Sequence, residues 1–109
     1  MKIQADVYLT ACGYPPMPKK YEFSGWKTEP ITDKQKTMLE RYGVAYSRVK
    51  YKGQASMIID LIFKRNEEGL ATPKQIQVLL KNGYSFGKVK RLTVKGASKI
   101  ISEFLYTED

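Results

Sequence analysis

Two stretches of the sequence set cations, rings and glycine close together. One is Arg48-Val49-Lys50-Tyr51-Lys52-Gly53; the other is Lys88-Val89-Lys90-Arg91, followed by Lys95-Gly96 and Lys99. The chemistry of that combination is contact with a polyanion. Ammonium and guanidinium groups attract phosphates, glycine lets backbone N–H groups approach them, and a ring such as Tyr51 between two lysines can stack on an unpaired base. The charges are also segregated. From Gly69 to Ser102 there are seven basic residues and no acidic one, and from Arg41 to Ile59 four more, again without an acid. Phosphates reward a continuous basic surface, whereas evenly mixed charges cancel. Taken singly, each lysine is better explained by a solvated helix face; the set carries the argument.

Other chemistries are poorly provided for. The 109 residues include no histidine and one cysteine, Cys12. The commonest general base and the commonest metal ligand are therefore missing, and neither an internal disulfide nor a thiolate metal cluster can form. The acidic residues are scattered, so a carboxylate metal site would need folding to gather Asp33, Asp60 and Glu103. The expectation is a non-enzyme without metal or cofactor. The formal charge of +8, from 19 Lys and Arg against 11 Asp and Glu, favours nucleic acid or an acidic protein surface as partner. No apolar run has the length of a membrane span, and Met1–Leu9 lacks a signal-peptide apolar block, so the expected location is cytoplasmic and no membrane partner is expected.

The elements that must position these residues come as a repeat. At an offset of 40 residues, Thr32-Asp33-Lys34-Gln35 matches Thr72-Pro73-Lys74-Gln75, Leu39 matches Leu79 and Gly43 matches Gly83. Tyr46/Phe86, Arg48/Lys88, Val49/Val89 and Lys50/Lys90 continue the register. The second copy then gains two residues, and Ala55-Ser56-Met57-Ile58-Ile59 matches Ala97-Ser98-Lys99-Ile100-Ile101. So many matches in order argue for two copies of one unit.

Each copy reads as helix, extended loop, helix. Thr32 and Thr72 are N-cap residues with Gln35 and Gln75 completing capping boxes, Pro73 suits a first helical position, and Gly43 and Gly83 suit left-handed helix ends. Met38, Leu39 and Tyr42 form one apolar stripe, with Ile76, Leu79 and Leu80 as its counterpart. In the second helices Ala55, Ile58, Ile59 and Ile62 recur at helical spacing, as do Ala97, Ile100, Ile101 and Phe104; Thr93 is a cap for the last. Val44–Lys52 and Tyr84–Leu92 alternate valine with charge, which predicts short extended segments with Val49 and Val89 inward. Tyr46 and Phe86 read as core residues.

Residues 1–30 differ. Ile3, Ala5, Val7 and Leu9 alternate with polar neighbours and predict a half-buried strand. Gly13-Tyr14-Pro15-Pro16-Met17-Pro18 reads as a turn or linker, and Tyr21, Phe23 and Trp26 as a second strand or an aromatic flap. The expected fold is mainly α with minor β: a strand and aromatic segment over 1–30, packed on repeat 1 (31–68) and repeat 2 (69–109), which share a core.

The unit Thr-x-Lys-Gln, then Leu, then Gly, then Lys-Gly-x-Ala-Ser-x-Ile-Ile resembles short repeats appended to some phage and bacterial helicases and nucleases. In that pattern the entrance to the second helix usually reads Leu-Thr-Lys-Gly-Glu-Ala-Ser. Lys52-Gly53-Gln54-Ala55-Ser56 keeps the order, whereas the second copy has Val94 inserted and lacks the Glu. The resemblance covers the repeats and not Met1–Pro30, and it implies an accessory nucleic-acid role. The expected function is a small nucleic-acid-binding module, DNA ahead of RNA, holding the phosphate backbone through Arg48, Lys50, Tyr51, Lys52, Gly53, Lys88, Lys90, Arg91, Lys95, Gly96 and Lys99. In size and charge the chain also looks like small inhibitors used by mobile elements, anti-CRISPR proteins among them; a host protein complex, met through an exposed Ile3–Leu9 edge or the aromatic group, is the alternative partner.

Overall fold

The computed structural model describes residues 2–14 and 29–106, the last two by backbone alone. Its elements run β1 (Ile3–Gln4), α1 (Ala5–Ala11), α2 (Asp33–Arg41), β2 (Val44–Ala45), α3 (Lys52–Glu67), α4 (Pro73–Lys81), α5 (Phe86–Arg91) and α6 (Val94–Tyr106). The fold is mainly helical, with β1 and β2 forming a two-stranded parallel sheet in which Ile3 faces Val44 and Gln4 faces Ala45.

The duplication is visible in the backbone. In repeat 1 Pro30 and Tyr51 form an antiparallel bridge; in repeat 2 Leu70 and Thr93 do so. Ile31 N donates to Lys50 O at 3.1 Å and Lys52 N to Glu29 O at 2.8 Å; their counterparts are Ala71 N to Leu92 O at 3.0 Å and Val94 N to Gly69 O at 2.9 Å. These pairs keep the sequence register, including the two-residue insertion. The bridge joins the residues before the first helix to those before the second, so both helices of a unit start from one short ladder. Within each unit the helices pack as a pair, α2 on α3 and α4 on α6.

Local chemistry sets the helix ends. Thr32 Oγ1 accepts from Gln35 N while Gln35 Oε1 accepts from Thr32 N, both at 3.1 Å; Thr72 and Gln75 repeat the box at 3.2 and 3.0 Å. Gly43 and Gly83 follow the first helices at φ +83° and +92°, a region that costs other residues a clash between Cβ and backbone. The second helices are capped differently. Gln54 Oε1 accepts from Lys50 N at 2.9 Å and Tyr51 N at 3.2 Å, whereas in repeat 2, where Gly96 has no side chain to offer, Thr93 Oγ1 accepts from Gly96 N at 3.0 Å.

Two sequence expectations are corrected. The predicted strand Ile3–Leu9 is strand only to Gln4 and helix from Ala5. Ala5, Tyr8, Leu9 and Cys12, spaced three and four apart, turn one face inward and are all buried, and that helical periodicity outweighs the alternation. The segment Tyr84–Leu92 is not extended: Ser85 Oγ accepts from Lys88 N at 3.3 Å and starts α5. Val49 and Val89 nonetheless point inward, as expected. The predicted turn past Tyr14 and the aromatic segment at Tyr21, Phe23 and Trp26 lie outside the described residues.

The core contains Ile3, Tyr8, Leu9, Leu39, Val44, Ile58, Ile62, Ile76, Leu79 and Val89, all fully buried and drawn from both repeats and the N-terminal segment. Each aliphatic side chain among them contributes about 1.5–3 kcal/mol by leaving water. The N-terminal segment links the copies. Ile3 N donates to Gly43 O at 3.0 Å in repeat 1, while α1 packs on α4 and α5 of repeat 2. Arg65, near the end of α3, crosses the same boundary: its guanidinium donates to Ala71 O at 3.4 Å and Lys90 O at 3.3 Å. Among the described residues no helix is long and apolar enough to cross a membrane.

Candidate nucleic-acid interface

The cations singled out in the sequence fall into groups with different surroundings. In repeat 1, Arg48 Nη1 lies 2.7 Å from Asp6 Oδ2 and Lys52 Nζ lies 2.8 Å from Glu29 Oε1. Both are long-range ion pairs with the N-terminal part of the chain. A carboxylate at that distance offsets the attraction for phosphate, even though such exposed pairs add little stability. Lys50 is exposed and has no carboxylate partner among the described residues. Gly53 is buried within the start of α3, which removes it as a place of close backbone approach. Tyr51 is half-buried and forms the bridge to Pro30, so it is a poorer stacking platform than its position between two lysines implied.

Repeat 2 keeps its charge open. Lys88, Lys90, Arg91, Lys95 and Lys99 are all exposed, and among the described residues none pairs with a carboxylate. Helix geometry divides them. Lys88 and Arg91, one turn apart on α5, line one groove with Ser85, Gly87 and Leu92. Lys95 and Lys99, one turn apart on α6, line a second with Gln75, Ser98 and Ser102. The two grooves follow each other along the chain, Leu92 in the first and Val94 in the second. Lys90 stands apart on the opposite side of α5. Its ammonium lies beside Gly13, where a Cβ would meet Nζ at 2.7 Å, and so covers the carbonyl end of α1.

The helix entrances offer fewer free donors than the sequence implied. Val94 N is bonded to Gly69 O, Gly96 N to Thr93 Oγ1 and Ala97 N to Thr93 O; at α3, Lys52 N is bonded to Glu29 O and Ala55 N to Tyr51 O. The bridges and caps that start these helices use most of the groups a phosphate would need. Exposed side chains, rather than Gly53 or Gly96, are what this surface leaves open to a ligand.

Two aromatic residues change places. Phe86, expected in the core, is 45% exposed at the start of α5. Its repeat partner Tyr46 is half-buried, while Val89, three residues on, points inward as Val49 does. The turn that makes α5 helical rotates Phe86 outward. Beside it, Lys88 Nζ sits 5.0 Å from the centroid of the Tyr84 ring, and Tyr84 meets Phe104 edge-on at 5.9 Å.

Sequence reasoning missed Arg65 altogether. It is 4% exposed and lies with Tyr8 and Cys12, both buried. Tyr8 Oη and Arg65 Nε have no hydrogen-bond partner among the described residues. Burial, reinforced by the neighbouring Cys12, pushes the Tyr8 hydroxyl far above its usual range against the opposing charge of Arg65. Burial likewise pushes the Cys12 thiol up, with Arg65 and Lys90 opposing. A raised thiol is mostly protonated at neutral pH and a poor nucleophile. Ile3 and Leu9 are fully buried and cover the repeat core, which rules out the alternative of an exposed docking edge at Ile3–Leu9. Among the described residues no three Asp, Glu or Cys side chains gather as metal ligands, and Asp33, Asp60 and Glu103 stand on three different helices. No family model matches the sequence, and neither a curated protein nor a solved structure matches it.

Proposed function

We propose that the chain is a nucleic-acid-binding module that holds the phosphate backbone through its second repeat. The observation that supports this is the contrast between the copies. Arg48 and Lys52 have carboxylates within 2.8 Å, whereas Lys88, Arg91, Lys95 and Lys99 line two successive grooves without one among the described residues. Unpaired cations in a row are what a polyphosphate chain requires, since each contact gains by releasing a condensed counterion. Repeat 1 then acts mainly as scaffold, its cations engaged by the N-terminal part of the chain. Lys50 is the member of that repeat best placed to add a contact.

Binding should be tested by titrating labelled single- and double-stranded oligonucleotides at increasing salt. The expected result is affinity that falls steeply with salt, with a log–log slope of about −3 to −4 if the four cations each contact one phosphate. Reversing charge at Lys88 and Arg91 together should abolish most of the binding at unchanged thermal stability. Undetectable binding to every probe at low salt would remove the proposal.

A further inference from the structure

Two hollows share one residue at the start of α5. The more apolar one is lined by Val7, Gln77, Leu80, Lys81, Tyr84, Ser85 and Phe86, with a volume of about 550 Å³. The cationic groove of Lys88 and Arg91 begins at the same Ser85 and measures about 470 Å³. Both fall in the size range of small-ligand sites. Phe86, 45% exposed, is part of that lining, and Lys81 beside it, like Lys88 and Arg91 in the groove, has no carboxylate partner among the described residues.

We infer that this pair of hollows receives single-stranded nucleic acid, an unpaired base stacking on Phe86 in the apolar hollow while flanking phosphates lie against Lys88 and Arg91. The inference rests on the phosphate-binding reading above and adds to it a choice of strand. Lysine and arginine alone hold a duplex as readily as a single strand. An exposed ring over an apolar hollow serves only a base whose face is free, and bases in a duplex are stacked on one another. The hollow, with its rings and aliphatic side chains, suits the base, and the groove, with Lys88 and Arg91, suits the phosphate, so the two match a nucleotide's two halves in chemistry. Lys95 and Lys99 line a further groove that includes Val94, two residues beyond Leu92 of the first, and only a strand, not an isolated nucleotide, is long enough to use both.

The test is fluorescence anisotropy with labelled oligothymidylate of about ten nucleotides, within the range of single-strand site sizes, against a hairpin duplex of equal charge. It compares the unaltered chain, Phe86→Ala, Phe86→Trp and Lys88→Gln/Arg91→Gln. Phe86 is exposed, so its variants should melt like the parent. Phe86→Ala is expected to weaken oligothymidylate binding by about tenfold, leaving the salt slope and the duplex affinity unchanged. Phe86→Trp should bind at least as well as the parent, and Lys88→Gln/Arg91→Gln should flatten the salt slope. If Phe86→Ala binds oligothymidylate like the parent while the double glutamine variant is weakened, phosphates are held but no base is stacked, and the inference fails alone. Thymidine monophosphate competing as strongly as the oligomer would overturn the strand in favour of a free nucleotide. Absence of binding to any probe would sink the phosphate reading and this inference together.

Discussion

The side-chain amide of Gln75 donates to the carbonyl of Val94 at 3.1 Å, and so ties the first turn of α4 to the first residue of α6. The same glutamine caps its own helix through Oε1. In the first copy Gln35 makes the equivalent bond to Lys52 O at 3.3 Å. One residue type thus satisfies a helix end and fixes the partner helix against it, which accounts for its presence at the same place in both units.

Removing the cap alone and removing the tie as well should therefore differ. Thr72→Ala is expected to cost about 1 kcal/mol. Gln75→Ala loses capping support and the bond to Val94, and is expected to cost about 2 kcal/mol. Urea unfolding measures both. Equal losses would mean that the bond to Val94 contributes nothing.

The two left-handed glycines provide a second contrast. A Cβ on Gly83 meets nothing within 4 Å, so Gly83→Ala carries only backbone strain, about 1–2 kcal/mol. On Gly43 it would come within 2.5 Å of Lys74 Cγ, near the base of that side chain. Gly43→Ala should be the more destabilising by about 1 kcal/mol or more, read as a lower midpoint in the same unfolding experiment.

Arg65 serves carbonyls on the far side of the repeat boundary. Arg65→Ala leaves Ala71 O and Lys90 O without those donors and opens space beside Tyr8, for an expected loss of about 2–3 kcal/mol. Faster amide exchange at the Leu70–Thr93 bridge would locate the effect; an unchanged exchange pattern there would contradict the coupling.

Alkaline pH should weaken the fold. Tyr8 and Cys12 both hold their protons more tightly when folded than when unfolded. Below the unfolded values, about 8.5 for a thiol and 10 for a phenol, both states are protonated and the contribution is complete. As pH rises past them the unfolded chain releases protons that the folded chain keeps, so stability falls. The expected profile is flat through neutrality and declines from about pH 9 upward. Cys12→Ala should remove the earlier part of the decline and Tyr8→Phe the later; a profile unchanged by both substitutions would refute the assignment.

For binding, single neutralisations should sort by surroundings. Lys88→Gln, Arg91→Gln, Lys95→Gln and Lys99→Gln are each expected to reduce the salt slope by about one. Arg48→Gln, whose charge already faces Asp6, should change it far less. Equal effects across all five would deny any difference between the copies.

What could be read from the sequence was what lies within one helical turn. The Thr32/Gln35 and Thr72/Gln75 boxes, the glycines after them and the apolar faces of α3 and α6 are patterns of three or four residues, and the structure has them all. The N-terminal helix was misread because Ile3, Ala5, Val7 and Leu9 alternate, while Ala5, Tyr8, Leu9 and Cys12 carry helical spacing through the same residues. Burial of Tyr8 and Cys12 decided between them. For α5 the signal was Ser85, a good N-cap three residues before Lys88, masked by the alternation of valine and charge.

The charged site was legible only in part. The sequence shows which residues are basic but not which carboxylate folds onto them. Asp6 is 42 residues from Arg48, and no local pattern links the two. The same holds for Arg65, which looks like an ordinary charged residue of a helix end until the second copy closes over it.

The N-terminal segment also bears on the order in which the molecule is made. Ile3 leaves the ribosome well before its β partner at Val44, and α1 well before α5, the helix it packs on, which ends at Arg91. The N-terminal segment must wait for both copies to be made before it finds its place. Contacts so distant in sequence slow folding, and the first copy, though complete by residue 68, stays without its cover until the second has emerged.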